Sequence, residues 1–257
     1  MNTTEPIIYE QPINEHLRVC LRLEHLFNQV SHWLHGQNMW ETRAALAALL
    51  EILNVLDRPD IKAKFVKELS RYGAALTRFA DTPHIDRTKL SAIQHEIEHT
   101  NHQLHNMQGR IAQTLRDNDF LTSARSHLLN PGGGCSFDTP AYYFWLQQPP
   151  AERIAQLTFW WGQLKSVRTA VELMLRLIRQ SSAPQLHEAS SGFYQASLDP
   201  QAPCQLIRVA TAHSVGAYPE ISVGRHGISI RFYALNLTDR PSQTTEDIKF
   251  QLTCCVF

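Results

Sequence analysis

Long apolar runs are missing from this chain. Nothing reaches the ~18 uninterrupted apolar residues a membrane-crossing helix needs, and the richest stretch, Ala44 to Leu56, is broken by Glu51 and Asn54. No bilayer-spanning segment is expected. An excess of one charge is also missing, since 24 Lys and Arg stand against 24 Asp and Glu for a formal net charge of zero. Coating nucleic acid takes a marked cationic excess, so that class is disfavoured and only a local cationic site is left open. The first residues, Met1 to Gln11, carry an early Glu5, no basic cluster and no apolar core, unlike a secretory signal. Cysteine is scarce: Cys20, Cys135, Cys204, Cys254 and Cys255 are odd in number and include an adjacent pair, a poor disulfide framework that fits a reducing cytoplasm. Glycine and proline are too few, at 11 and 13, for a collagen-like or low-complexity chain. What is present is a 257-residue chain, 43% hydrophobic, long enough for one large or two modest cores.

From Ile13 to about Gln180 the apolar residues keep a helical rhythm, with breaks at Asp57-Arg58-Pro59, Asp81-Thr82-Pro83, Asn130 to Gly134 and Gln148-Pro149-Pro150. After Ser181-Ser182-Ala183-Pro184 the period falls to two: the stretches from Cys204, Ile228 and Ile248 alternate and favour β-formers. Helices followed by strands predict an α+β fold, with an α-helical bundle domain over 1–185 and a small antiparallel β domain over 186–257.

The most regular helix is expected from an N-cap at Asp86 to about Asp117, a rod of ~45 Å at ~1.5 Å per residue. Leu90, Ile93, Ile97, Leu104, Met107 and Ile111 fall on the a and d places of a heptad, with Thr100 interrupting the seam. That spacing suits a helix of an antiparallel bundle or an intermolecular coiled coil, and bundle helices commonly share it.

Several motifs bear on chemistry. His95-Glu96-Ile97-Glu98-His99 matches H-E-x-x-H, in which two histidines one turn apart bind zinc and the glutamate acts as general base. With Leu90 at position a, however, His95, Glu96, His99 and His102 all fall away from the apolar seam, whereas catalytic zinc needs a shielded cleft. A solvated face is favoured, His102 would complete only an adventitious surface site, and a zinc-dependent hydrolase is the alternative function. Pro131-Gly132-Gly133-Gly134-Cys135-Ser136 lacks the spacing and the lysine of a phosphate-binding loop, and nothing around Cys135 marks a nucleophile. A tight turn leading into Phe137-Asp138-Thr139-Pro140 is the favoured reading. The runs Tyr142-Tyr143-Phe144-Trp145 and Phe159-Trp160-Trp161 suit core packing, with a partner pocket as the other use.

Basic residues are informative by identity: 18 are Arg and 6 are Lys. The planar guanidinium suits two-pronged carboxylate recognition, although a GC-rich genome produces the same bias. Arg18 and Arg22 lie one turn apart with His25 on the same face, forming a short cationic stripe or pairing with Glu15 and neighbouring helices. On the expected strand Ile228 to Phe232 the apolar residues share one face and Arg231 takes the other.

In order and spacing, several segments together resemble the ZapD family of cell division proteins, which bind FtsZ and bundle its filaments. They are Tyr9-Glu10-Gln11-Pro12-Ile13-Asn14-Glu15, Leu21-Arg22-Leu23-Glu24, Pro131-Gly132-Gly133, Cys135-Ser136-Phe137-Asp138, Leu177-Ile178-Arg179-Gln180-Ser181, Gly192-Phe193-Tyr194-Gln195 and Cys254-Cys255. The resemblance runs from about Ile7 to Cys255 and implies a cytoplasmic, non-enzymatic homodimer at the midcell division site, with no cofactor, metal or catalytic residue. It implies that the C-terminal tail of FtsZ is held by a basic pocket between a helical and a β-stranded domain. The matching positions are Arg58, Arg231 and the nearby Arg225, because Gly227 stands where a second strand arginine can occur. Arg22, Arg116 and Tyr143 match segments the family uses for partner or self contact. The His95 to His99 motif is no part of the family pattern.

Overall fold

The computed structural model describes residues 5–78, 86–128, 130–199, 201, 203–224 and 227–257. Its helices are α1 (Glu15–Trp33), α2 (Met39–Val55), α3 (Ile61–Thr77), α4 (Arg87–Asn106), α5 (Gln113–Arg116), α6 (Asp119–Leu128), α7 (Pro140–Leu146), α8 (Pro150–Gly162) and α9 (Lys165–Arg179). One strand, β1 (Ile7–Pro12), precedes them, and six follow: β2 (Gln185–Ala189), β3 (Phe193–Ser197), β4 (Cys204–Thr211), β5 (Ala217–Val223), β6 (Gly227–Ala234) and β7 (Ile248–Val256). The fold is α+β. Contacts divide the chain into two compact units, Val19–Met174 and the pair of ends Met1–Arg18 with Leu175–Phe257.

In the helical unit α2 is the central element. Thr42, Ala45, Leu46, Ala48, Leu49, Leu50, Ile52 and Leu53 are all buried, so more than half of its circumference faces protein and Trp40, Glu51 and Asn54 mark the open side. Its start is fixed by a capping box: the Asn38 side chain accepts from the Glu41 N–H at 2.9 Å, and the Asn38 N–H donates to the Glu41 carboxylate at 3.1 Å. Prolines open α7 and α8, where the missing N–H costs nothing. Arg153, buried on α8, donates to the carbonyls of Leu146 and Gln37 and so ties the end of α7 to the α1–α2 connection.

Helices α3 and α4 run antiparallel: Asn101 donates to Ser70 at 2.9 Å, Gln94 to Thr77 at 3.5 Å, and Ile97 lies against Gly73 between them. Asp86 caps α4 as its sequence predicts, accepting from the Lys89 N–H at 3.0 Å. The length does not follow the prediction. Helix α4 stops after 20 residues, about 30 Å, instead of running to Asp117. Met107 is extended, Gly109 has φ +70° and Ala112 φ +58°, so the chain folds back on itself. Ile111, which would have continued the stripe, is buried by that turn, as is Leu115. The heptad pattern recorded which residues seek a core, and a sharp turn meets that need as well as a longer rod.

In the strand unit every pairing among the described residues is antiparallel, with sheet orders β1-β4-β7-β2 and β3-β6-β5. Ile207 and Val209 of β4, Phe250 and Leu252 of β7, and Ile228, Ile230 and Phe232 of β6 share one apolar cluster, with the Phe232 and Phe250 rings 5.3 Å apart. The chain passes between sheets at Ser191-Gly192, both at positive φ (49° and 70°). A Cβ on Gly192 would lie 2.6 Å from the Thr244 carbonyl oxygen, which excludes other residues there.

Strand β1, which the helical rhythm from Ile13 onward does not include, pairs with β4 from Ile7↔Thr211 to Pro12↔Leu206. Glu10, opposite Arg208, accepts at 2.8 Å from its Nε and at 2.8 and 2.6 Å from Arg179 at the end of α9. Burial pushes the Glu10 carboxyl up, but the hydrogen bonds and charges of Arg179 and Arg208 outweigh it and leave the pKa below its ordinary 4.5. Replacing this half-buried acceptor in Glu10→Gln is expected to cost about 2 kcal/mol at neutral pH, between the values for exposed and fully buried pairs. A lowered pKa gives stabilisation that is complete above the ordinary value and lost as pH falls through the folded one. Urea unfolding of both proteins should therefore show the gap narrowing only below pH 4.5; a gap that does not change in acid would refute the assignment.

Candidate partner-binding site

The alternation of β6 decides which residues the strand unit presents. Ile228, Ile230 and Phe232 point into the core, so Arg231 is exposed, as its sequence position predicts. Its neighbours across the sheet are Phe193 on β3 and Glu220 on β5, and its guanidinium stands over the Phe193 ring at 5.2 Å. That contact holds the side chain upright without using its hydrogen-bond donors. Along the same face Tyr218 and Tyr233 stack at 6.0 Å, and Ser229 pairs with Gln195 and Ser222. A cleft of about 780 Å³ opens here, lined by Gln195, Ser197, Ser222, Gly227 and Ser229 among others. Gly227 brings β3 close: a Cβ on it would lie 2.6 Å from the Ala196 carbonyl oxygen. Arg225 lies outside the described residues.

The other expected residues belong to the helical unit. Arg58 is exposed in the short connection between α2 and α3, beside Pro59, which fixes φ and offers no N–H. Arg22 is exposed on α1. One turn earlier, Arg18 reaches Glu15 at 3.6 Å, the intrahelical pairing that the spacing allowed. Arg116 is turned inward, with only 10% of its side chain exposed. It donates to the carbonyls of Ile111 at 3.1 Å and Leu56 at 2.6 Å and is ion-paired with Asp57, the residue next to Arg58. Arg125 of α6 donates to the other Asp57 oxygen at 2.8 Å and also reaches Asn54. The hydrogen bond from Arg125, joined by that from Arg116 and by the charges of both, keeps the Asp57 carboxyl below its ordinary range against the opposing effect of burial. Asp57 and Arg125 carry no motif, and the partners are 68 residues apart, so no local pattern could have joined them.

The candidate chemical motifs resolve differently. His95, His99 and His102 lie on the exposed side of α4. His99 is hydrogen-bonded to Gln103 at 2.8 Å, and the His95 and His99 rings are parallel at 6.4 Å. Among the described residues no group of three or more His, Cys, Asp or Glu gathers to hold a metal. The glycine run forms a tight turn: the Gly133 N–H donates to Asn130 at 2.9 Å, and the Gly133 carbonyl accepts from Arg43 at 2.7 Å. A Cβ on Gly133 would collide with the His127 carbonyl oxygen at 1.8 Å. Cys135 is exposed and its thiol contacts the Gly132 carbonyl of the same turn. The aromatic runs divide. Tyr142, Trp160 and Trp161 are buried, whereas Tyr143, Phe144 and Phe159 are exposed, because a short helix can turn only part of its surface inward.

Comparison with known proteins shows the family. A family model described as ZapD, cell division protein, matches residues 21–231. The chain belongs to the ZapD family. It is 41% identical over 251 residues to the cell division protein ZapD of Coxiella burnetii, covering 97% of each chain. It is 37% identical over 250 residues to that of Methylococcus capsulatus, covering 97% of this chain and 98% of the relative. With the Azoarcus ZapD it shares 36% over 249 residues, covering 97% and 99%. No described helix is long and apolar enough to cross a membrane.

The exposed setting of His95 and His99 yields a prediction for this member of the ZapD family. EDTA treatment is expected to leave its thermal melting curve unchanged. Zinc retained at one ion per chain, together with a melting temperature that falls on chelation, would make the motif a metal site.

Proposed function

We propose that this protein is a non-enzymatic division factor that binds the C-terminal tail of FtsZ and, as a homodimer, crosslinks and bundles FtsZ filaments at midcell in the cytoplasm. Membership of the ZapD family over nearly the whole chain carries this reading. The exposed Arg58 and Arg231, with Arg225 and Arg22, supply cations for the carboxylates of an acidic and apolar tail. The Phe193 ring beside Arg231 offers an apolar surface next to a charge, the pairing such a tail would need.

Exposed ion pairs are individually weak, ~0–1 kcal/mol, so one tail on one subunit would be held loosely. Two linked sites on a dimer gain avidity on the order of 10²-fold without new contacts when tails are dense along a filament. Loose individual contacts also let a bundle rearrange. Charge would set the register and salt dependence, and the apolar contacts would keep some affinity when salt is raised. Neither nucleic acid nor membrane insertion has a part in this mechanism.

Fluorescence anisotropy of a labelled FtsZ C-terminal peptide tests it. Wild type should bind saturably and more weakly at high salt. Arg58→Glu and Arg231→Glu, each shown folded by circular dichroism, should each weaken binding at least about tenfold, or ~1.4 kcal/mol. No binding by wild-type protein to either the peptide or intact filaments would overturn the reading.

A further inference from the structure

Helices α2 and α3 are joined by only five residues, 56–60, and the exposed Arg58 is the middle one. The backbone does little to fix it. The Leu56 N–H returns to Ile52 at 2.9 Å, the Asp57 N–H to Asn54 at 3.2 Å, and the Ile61 N–H donates a long hydrogen bond to the Arg58 carbonyl at 3.3 Å. The position of this connection is instead held from outside. Arg116 grips the Leu56 carbonyl and one Asp57 oxygen, Arg125 takes the other Asp57 oxygen, and both arginines come from the distant α5 and α6. On the far side of Arg58, Asp60 is paired with Lys64 at 2.6 Å.

We infer that Asp57, clamped by Arg116 and Arg125, is a positioning residue that holds Arg58 in place for an acidic peptide, an assignment that rests on the function proposed above. Arg116 then acts through Arg58 and not by touching the partner, which accounts for its inward, hydrogen-bonded side chain. The clamp does two things. It fixes the chain immediately before a long, rotamer-rich side chain, and such preorganisation lowers the ordering cost when a carboxylate binds. It also occupies the neighbouring Asp57 carboxylate with two other guanidinium groups, so that this acid competes less for Arg58. Without Asp57, two like charges would face each other with nothing between them, and the connection would move.

A double-mutant cycle on the full-length protein, read by anisotropy of the labelled FtsZ tail peptide, tests the inference. Asp57→Asn keeps the side chain's shape and removes its charge. It should weaken binding roughly three- to tenfold, the size of coupling seen between contacting residues, and should change nothing once Arg58→Ala is present. Arg125→Gln, which leaves Arg116 in place, should show a smaller loss with the same dependence on Arg58 and serves if Asp57→Asn does not fold. Wild-type binding with no effect of these substitutions, or an equal loss with and without Arg58, would overturn the positioning role and leave the proposed function standing. Failure of wild type to bind would instead remove the proposed function, and this assignment with it.

Discussion

Glu10 sits on a six-residue strand with a single neighbour in its sheet, so main-chain bonds to β4 tether it on one side only. A strand paired on one side only has half the ladder of a central strand. The Glu10 carboxylate adds what the ladder lacks, binding Arg208 on the neighbouring strand and Arg179 at the end of the last helix. Three segments far apart in sequence therefore meet at one acid. Because β4 lies between β1 and β7, the pairing also covers an edge of β4 that would otherwise be open to other strands. Much of the strand unit's order follows from this junction of the two chain ends.

The same chemistry recurs in the helical unit, and it explains an arginine excess that composition alone left ambiguous. Arg153 serves carbonyls at Leu146 and Gln37, Arg43 serves Gly133, and Arg116 serves Leu56 and Ile111. Leu56 is the C-cap of α2, and Leu146 ends α7, places where carbonyls lack partners within the helix. A guanidinium can satisfy two such oxygens at once in a fixed plane, which an ammonium cannot. Many arginines are thus internal braces. The outward Arg22, Arg58 and Arg231 are a different group; alternation along β6 marks Arg231, and for the other two the fold makes the separation.

Legibility in the sequence followed the range of the interaction. Period-two alternation marked β4, β6 and β7 because each has one face on a shared core, and Arg231 was readable as outward for the same reason. The Asp86 cap was readable because the capping carboxylate and its N–H donor lie three residues apart. The end of α4 was not, since the apolar spacing continues through Ile111 while the backbone turns at Gly109 and Ala112. Strand β1 escaped notice because six residues hold too little pattern, and its partner strand is reached only after nearly 200 more. The Asp57 clamp was beyond local reasoning for that reason too. Resemblance to a family reached further than periodicity because order along the chain carries long-range information that spacing within one helix does not.

Exposure of Arg58 and Arg231 has a consequence for how such a protein could work. A buried charge pair binds tightly but must shed its water first, and removing one partner strands the other. An exposed arginine keeps most of its hydration, contributes little alone, and exchanges partners quickly. For an enzyme that would be a weakness, since catalysis depends on charges held in a dry and fixed environment. For a crosslinker it is an advantage, because strength can come from the number of linked sites while each one stays reversible. What such a site does require is that its few charges be presented at fixed places, for a mobile cation loses in ordering what it gains in attraction. A rigid clamp beneath an exposed arginine, and an aromatic ring beneath another, meet that requirement without burying either charge.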